Sequence, residues 1–233
     1  MMSLATFDVT SSTPFFSKEN YEALGITARF EGEKLVGLQV TIEHDEDTEY
    51  EKLVAEANRK IVRLLQLIEF GTGVPLQIGP ARIGPLESES LAAICVCSVK
   101  ANATLTIPIP LPPPEMVAKL RDEELRQLAW YNSAAKSSLD VEKIRSFYQV
   151  LELEKQLTGG SYLPPPEMTY LRHAVSHPQL GDESVKEYLR ANNLHSDHID
   201  LSNTSHVDFI KARVEPLRQE ARRVIEKRLP KWW

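Results

Sequence analysis

Arg172, His173 and His177 put one permanent cation and two titratable rings within six residues, in the stretch Tyr170-Leu-Arg-His-Ala-Val-Ser-His177. Prolines flank it at Pro164-Pro-Pro166 and Pro178. An arginine fork matches phosphate oxygens in a bidentate way. An imidazole changes protonation state near neutral pH and serves as general acid or base. The residue types therefore suit chemistry on a phosphate, and the bland alternative is a set of solvated polar residues near a helix end.

Spacing sharpens the first reading. On a helix, His173 and His177 (i, i+4) share a face. Arg172 then points about 140° away from His177, so one copy aims the two at different sides of a turn. Two copies across a two-fold axis can bring them to one phosphate, each supplying an Arg and a His.

The arginine, a polar residue and a histidine four positions further on follow a helix reading Phe147-Tyr-Gln-Val-Leu-Glu152. This arrangement resembles the HEPN superfamily (higher eukaryotes and prokaryotes nucleotide-binding), especially MauJ-type proteins of methylamine-utilisation clusters and, more loosely, ApeA-like defence proteins. The resemblance spans roughly residues 113–230, and nothing comparable covers the first 110. In that family the three motif positions form the signature, here Arg172, His173 and His177.

The resemblance implies a metal-independent endoribonuclease with a composite site at a homodimer interface, in a defence or stress-response setting. RNA carries its own nucleophile, the 2′-hydroxyl beside the scissile phosphate. Cleavage needs a base, an acid for the leaving 5′-oxygen, and positive charge on the transition state. His177 suits the proton transfers, Arg172 the transition-state charge, and His173 phosphate positioning or assistance to proton transfer. RNA and a second copy through the helical half are the implied partners, with no cofactor. The alternative is a non-catalytic HEPN-like module that binds RNA or proteins, or acts as a sensor.

Metal chemistry is a third class. His173 and His177 have helical zinc-ligand spacing, and His195-x-x-His198 lies nearby in sequence. Ala174 stands where a His-Glu-x-x-His protease needs glutamate, so no metal site is expected. Glu152 reads as a solvent-facing or capping carboxylate before an orienter of an imidazole, and Tyr148 and Tyr170 as core-edge aromatics. Gly71-Thr-Gly73 lacks the third glycine and lysine of a phosphate loop.

Composition narrows the classes. A net charge of −6 argues against a general nucleic-acid coat, though not against a local basic patch. The 42% apolar and 26% charged content is that of an ordinary globular chain. Cys95 and Cys97 do not make a disulfide scaffold, which makes a reducing cytoplasm the expectation. As a pair on one strand they read as buried structural thiols. There is no signal-like start and no apolar run of membrane-spanning length, so no membrane is expected.

The elements that must hold the motif follow from periodicity. Residues 1–20 are turn-rich and read as an extended lead-in. Ile26 to Phe30 and Leu35 to Ile42, around Glu31-Gly-Glu-Lys34, predict a β-hairpin. His44-Asp-Glu-Asp47 reads as a solvated acidic turn before a helix from Thr48 to Phe70. Short strands at Val74 to Ile78 and Ile83 follow, then strands at Ser90 to Val99 and Ala103 to Ile109.

Prolines 108, 110 and 112–114 mark a boundary, and helical patterns follow it. Expected helices run from Pro114 or Glu115 to Ser137, from Leu139 to Gly159-Gly160 with Asp140 capping, from Pro165 to His177, from Ser184 to Asn192, and from His206 to Leu229 with a kink or late start at Pro216. Between Lys211 and Lys231 the last carries eight Lys/Arg against three Glu. That excess reads as either an RNA-facing stripe or a solvated face of Glu–Arg pairs.

The expected architecture is α+β. A mixed sheet domain of unknown role, residues 1–110, precedes an all-α HEPN-like bundle, residues 111–233.

Overall fold

The computed structural model describes residues 1–10, 15–16, 21–32, 34–73, 76–85, 109–177, 181–194 and 198–232. The fold is α+β, with a largely antiparallel sheet early in the chain and helices in its C-terminal part. Two compact units divide it: Met1–Leu120 with Trp232, and Arg121–Lys231.

In the first unit, β1 (Met2–Thr10), β3 (Ile26–Glu31) and β4 (Lys34–Glu43) form antiparallel neighbours in the order β3-β4-β1. Ala5 faces Val40 and Phe7 faces Leu38 across the β1–β4 ladder. Beyond β1 lie β5 (Gln77–Ile78) and β6 (Arg82–Pro85), which pair with its C-terminal and N-terminal parts respectively. A separate parallel pair joins β2 (Phe15–Phe16) to β7 (Ile109–Pro110).

The expected lead-in is thus corrected: Met2–Thr10 is the strand on which the sheet is built. Ala5, Phe7 and Val9 are buried at alternate positions, the period of a half-buried strand. The hairpin expected around Gly32 is present, and Gly32 takes a positive φ of 60° in its turn.

Helix α1 (Tyr50–Thr72) packs on β4 through the stripe Leu53, Ala57, Ile61, Leu64 and Ile68. It ends at Gly73 in the left-handed region, φ 69°, with Gly73 N–H donating to the Glu69 carbonyl. Of the expected strands at 90–99 and 103–109, all but Ile109, which opens β7, lies outside the described residues, as do Cys95 and Cys97.

The helix expected from Pro114 to Ser137 is two. Helix α2 (Pro114–Lys119) stops where Leu120 turns extended, ψ 118°, and α3 (Asp122–Lys136) starts afresh. Glu124, three residues beyond the cap position, accepts the Arg121 backbone N–H at 3.0 Å and its guanidinium at 2.7 Å. Tyr21 Oη donates to the Pro112 carbonyl at 2.5 Å, and Leu111, Val117 and Leu120 are buried. The proline segment and α2 therefore belong with the sheet, and the units divide after Leu120 instead of after residue 110.

In the second unit, α4 (Asp140–Leu157) packs against α3, against α5 (Pro166–Ser176) and against α7 (Thr204–Glu226), while α6 (Glu183–Ala191) packs on α5. Phe147 and Tyr131 meet at the α3–α4 contact with ring centroids 5.2 Å apart. Burying Phe147 contributes about 1.5–3 kcal/mol. Asp140 is the first residue of α4 and not its cap; it accepts Lys143 Nζ at 2.8 Å. Pro216 lies inside α7 without ending it.

Candidate functional site

Helix α5 carries the motif. Pro165 and Pro166 open it, where a missing N–H is harmless. His177 is its C-terminal cap, with N–H donating to the His173 carbonyl at 3.2 Å. Its buried side is Leu171, Ala174 and Val175, which leaves Arg172 and His173 half-buried and His177 exposed.

The two imidazoles stack on each other, with centroids 5.6 Å apart and planes 28° from parallel, as their i, i+4 spacing predicts. Arg172 is turned elsewhere. Its guanidinium carbon sits 6.0 Å from the centroid of the Tyr148 ring on α4, in reach of a cation–π attraction. Among the described residues no hydrogen bond joins Arg172 to either imidazole. The structure brings His173 and His177 together and sends Arg172 to the α4 side.

A second guanidinium stands at the same helix end. Arg145 Nη2 donates to the Val175 carbonyl at 2.7 Å, while its Nη1 pairs with Glu142. The last carbonyls of a helix carry partial negative charge, so this guanidinium both satisfies and neutralises the end that presents His177. Nothing in the sequence marked Arg145, because its partner lies 30 residues away.

Tyr148 is locked in place by its hydroxyl, which shares a 2.9 Å hydrogen bond with Thr169 on α5. Beside it runs a groove of about 700 Å³. Tyr148, Glu152, Lys155 and Gln156 line its α4 side, Gly159, Gly160, Leu163, Pro164 and Pro166 its end, and Thr169 and Tyr170 its α5 side. Gly159 and Gly160 hold φ of 59° and 85°, a turn that side-chain-bearing residues resist. Tyr170 meets Tyr188 of α6 with centroids 5.7 Å apart. Burial raises the Tyr188 phenol above its usual range, opposed by the hydrogen bond from Arg213.

Four arginines of the basic stretch in and just after α7 form ion pairs. Arg218 meets Glu215, Arg222 meets Glu226, Arg223 meets Glu220, and Arg228 meets Glu154 of α4. Arg213 lies over the Phe209 ring at 3.7 Å and bonds to Asn192 and Tyr188. The Glu–Arg pairs expected on this helix are present.

Among the described residues no three His, Cys, Asp or Glu side chains converge as a metal site; His195 lies outside them. Nor, among them, is any helix long and apolar enough to cross a membrane. No protein-family model, no curated protein and no solved structure matches this chain.

Proposed function

We propose that the helical unit is a metal-independent endoribonuclease of HEPN type, working as a homodimer, with Arg172 and His177 as its main residues and His173 assisting. The observation that carries this reading is the divergence of Arg172 from the stacked, accessible imidazoles within one helix end. One copy offers a cation on one flank and proton-transfer groups on the other. A second copy across a two-fold axis supplies to each what it lacks. Arg172 would stabilise charge on the transition state, and an imidazole would move the proton of the 2′-hydroxyl. In this reading the sheet unit selects the substrate or senses a trigger, in a cytoplasmic defence or stress response.

The test is cleavage of a mixed tRNA and total-RNA sample with chelator present, comparing wild type with Arg172→Ala and His177→Ala. Chelator-resistant cutting by the wild type, lost in both folded variants, is the expected result. Wild type that cuts nothing under any tested condition rejects it.

A second reading, a non-catalytic interaction module, draws on the pairing of the α7 arginines with glutamates. With four of its eight Lys/Arg held by carboxylates, that stretch offers less free positive charge to a phosphate backbone.

A further inference from the structure

The groove beside Tyr148 is larger than one phosphate requires, and its lining selects an occupant. Tyr148, Glu152 and Lys155 recur at i, i+4 and i+7 on α4 and so face one way. Tyr170, Pro164 and Pro166 give the groove flat apolar surfaces of the kind on which a planar base stacks, while Tyr148 is buried at its floor. Glu152 lines the same groove half-buried, with no hydrogen-bond or ion-pair partner among the described residues. A carboxylate is acceptor-only and presents two oxygens side by side. Guanine alone among the RNA bases offers two adjacent donors, N1–H and the exocyclic N2–H, on its Watson–Crick edge. Adenine and cytosine place an acceptor next to their amino group, and uracil flanks its one N–H with carbonyls. Lys155 is exposed at this groove and carries no acidic partner among the described residues. Arg172 lies against the Tyr148 ring, three residues beyond Thr169 on the same side of α5, next to the groove and outside its lining. One cation, Lys155, thus lines an aromatic and carboxylate-bearing slot, and a second, Arg172, stands beside its Tyr148.

We propose that this groove is a guanine subsite, in which Glu152 accepts N1–H and N2–H of the base while Lys155 and Arg172 meet the flanking phosphates. The proposal rests on the RNA reading of Arg172 and His177 and names the base next to the phosphate they would handle.

The experiment is calorimetric titration of the full chain at pH 7 with guanosine, inosine and adenosine monophosphates. It is paired with titration of a 2′-O-methyl pyrimidine hexamer carrying one central guanine, hypoxanthine or adenine. Guanosine monophosphate is expected to bind tighter than adenosine monophosphate by about ten- to a hundred-fold, the range of one good bidentate pair. Inosine monophosphate, which lacks the N2 amine, falls between them. Glu152→Gln abolishes the guanine preference, whereas Lys155→Met weakens all three nucleotides and keeps their order. Equal affinity for the three bases, or no binding of guanosine monophosphate by the folded protein, overturns the subsite. A hexamer bound without base preference, yet weakened by Arg172→Ala, overturns the subsite and leaves the RNA reading standing. A guanine preference that follows Glu152 in a protein that cuts no RNA supports the subsite and removes the nuclease.

Discussion

Arg228 and Glu154, 74 residues apart, are joined by a forked ion pair, Nε to Oε2 at 2.9 Å and Nη2 to Oε1 at 3.1 Å. The Glu154 side chain is 6% exposed, and Gln127 Nε2 also donates to Oε2 at 3.2 Å. Helices α3 and α4 and the turn that follows α7 therefore meet on one carboxylate. A charge so enclosed is stable only with its partners, and its removal costs more than the pair itself contributes.

Glu154→Ala is expected to destabilise the chain by about 3 kcal/mol, because Arg228 loses its forked partner and Gln127 keeps only the Val150 carbonyl. Combining Glu154→Leu with Arg228→Met recovers most of the loss, since an apolar pair carries no desolvation penalty. Urea unfolding midpoints measure both. A single variant as stable as wild type contradicts the assignment.

The Tyr162 phenol is pushed above its usual range, first by burial and then by its hydrogen bond to Glu220 at 2.9 Å. Above about pH 10 the unfolded chain loses this proton while the folded chain keeps it. The folded state then binds more protons, so stability is full below that pH and falls as pH rises. Tyr162→Phe flattens this alkaline limb of a stability–pH curve. Glu220 acts at the other end: Arg223 first, then Tyr162, hold its carboxyl below the usual range. Its contribution is present above the ordinary carboxylate range and is lost as pH falls through it.

Gly160 holds φ of 85° with nothing within 4 Å of an added Cβ, so the cost of Gly160→Ala is backbone strain alone. It is expected to be about 1–2 kcal/mol. Denaturant unfolding reads it. A neutral result would place the residue outside the left-handed region in solution.

If the nuclease site is shared between two copies, mixing Arg172→Ala with His177→Ala protein after subunit exchange restores RNA cutting that neither has alone. Each variant supplies the group the other lacks. Unmixed and mixed samples are compared at equal total concentration, and a mixture no more active than its parts sinks the composite site.

Local pattern determined a good deal of this protein. The stripe of Leu53, Ala57, Ile61 and Ile68 and the alternation around Gly32 specify α1 and the hairpin, because period and turn chemistry act over a few residues. The i, i+4 spacing of His173 and His177 likewise set their stacking. The strand Met2–Thr10 was legible too, in the alternation of Ala5, Phe7 and Val9, but the turn-forming residues after it hid the signal. Tertiary structure alone decided the rest. It broke 114–137 at Leu120, where Glu124 caps a second helix. It joined Arg228 to Glu154, laid Arg172 on Tyr148, and brought Arg145 to the Val175 carbonyl. Partners 24 to 74 residues apart leave no trace in a local period, because their meeting is set by how whole helices pack.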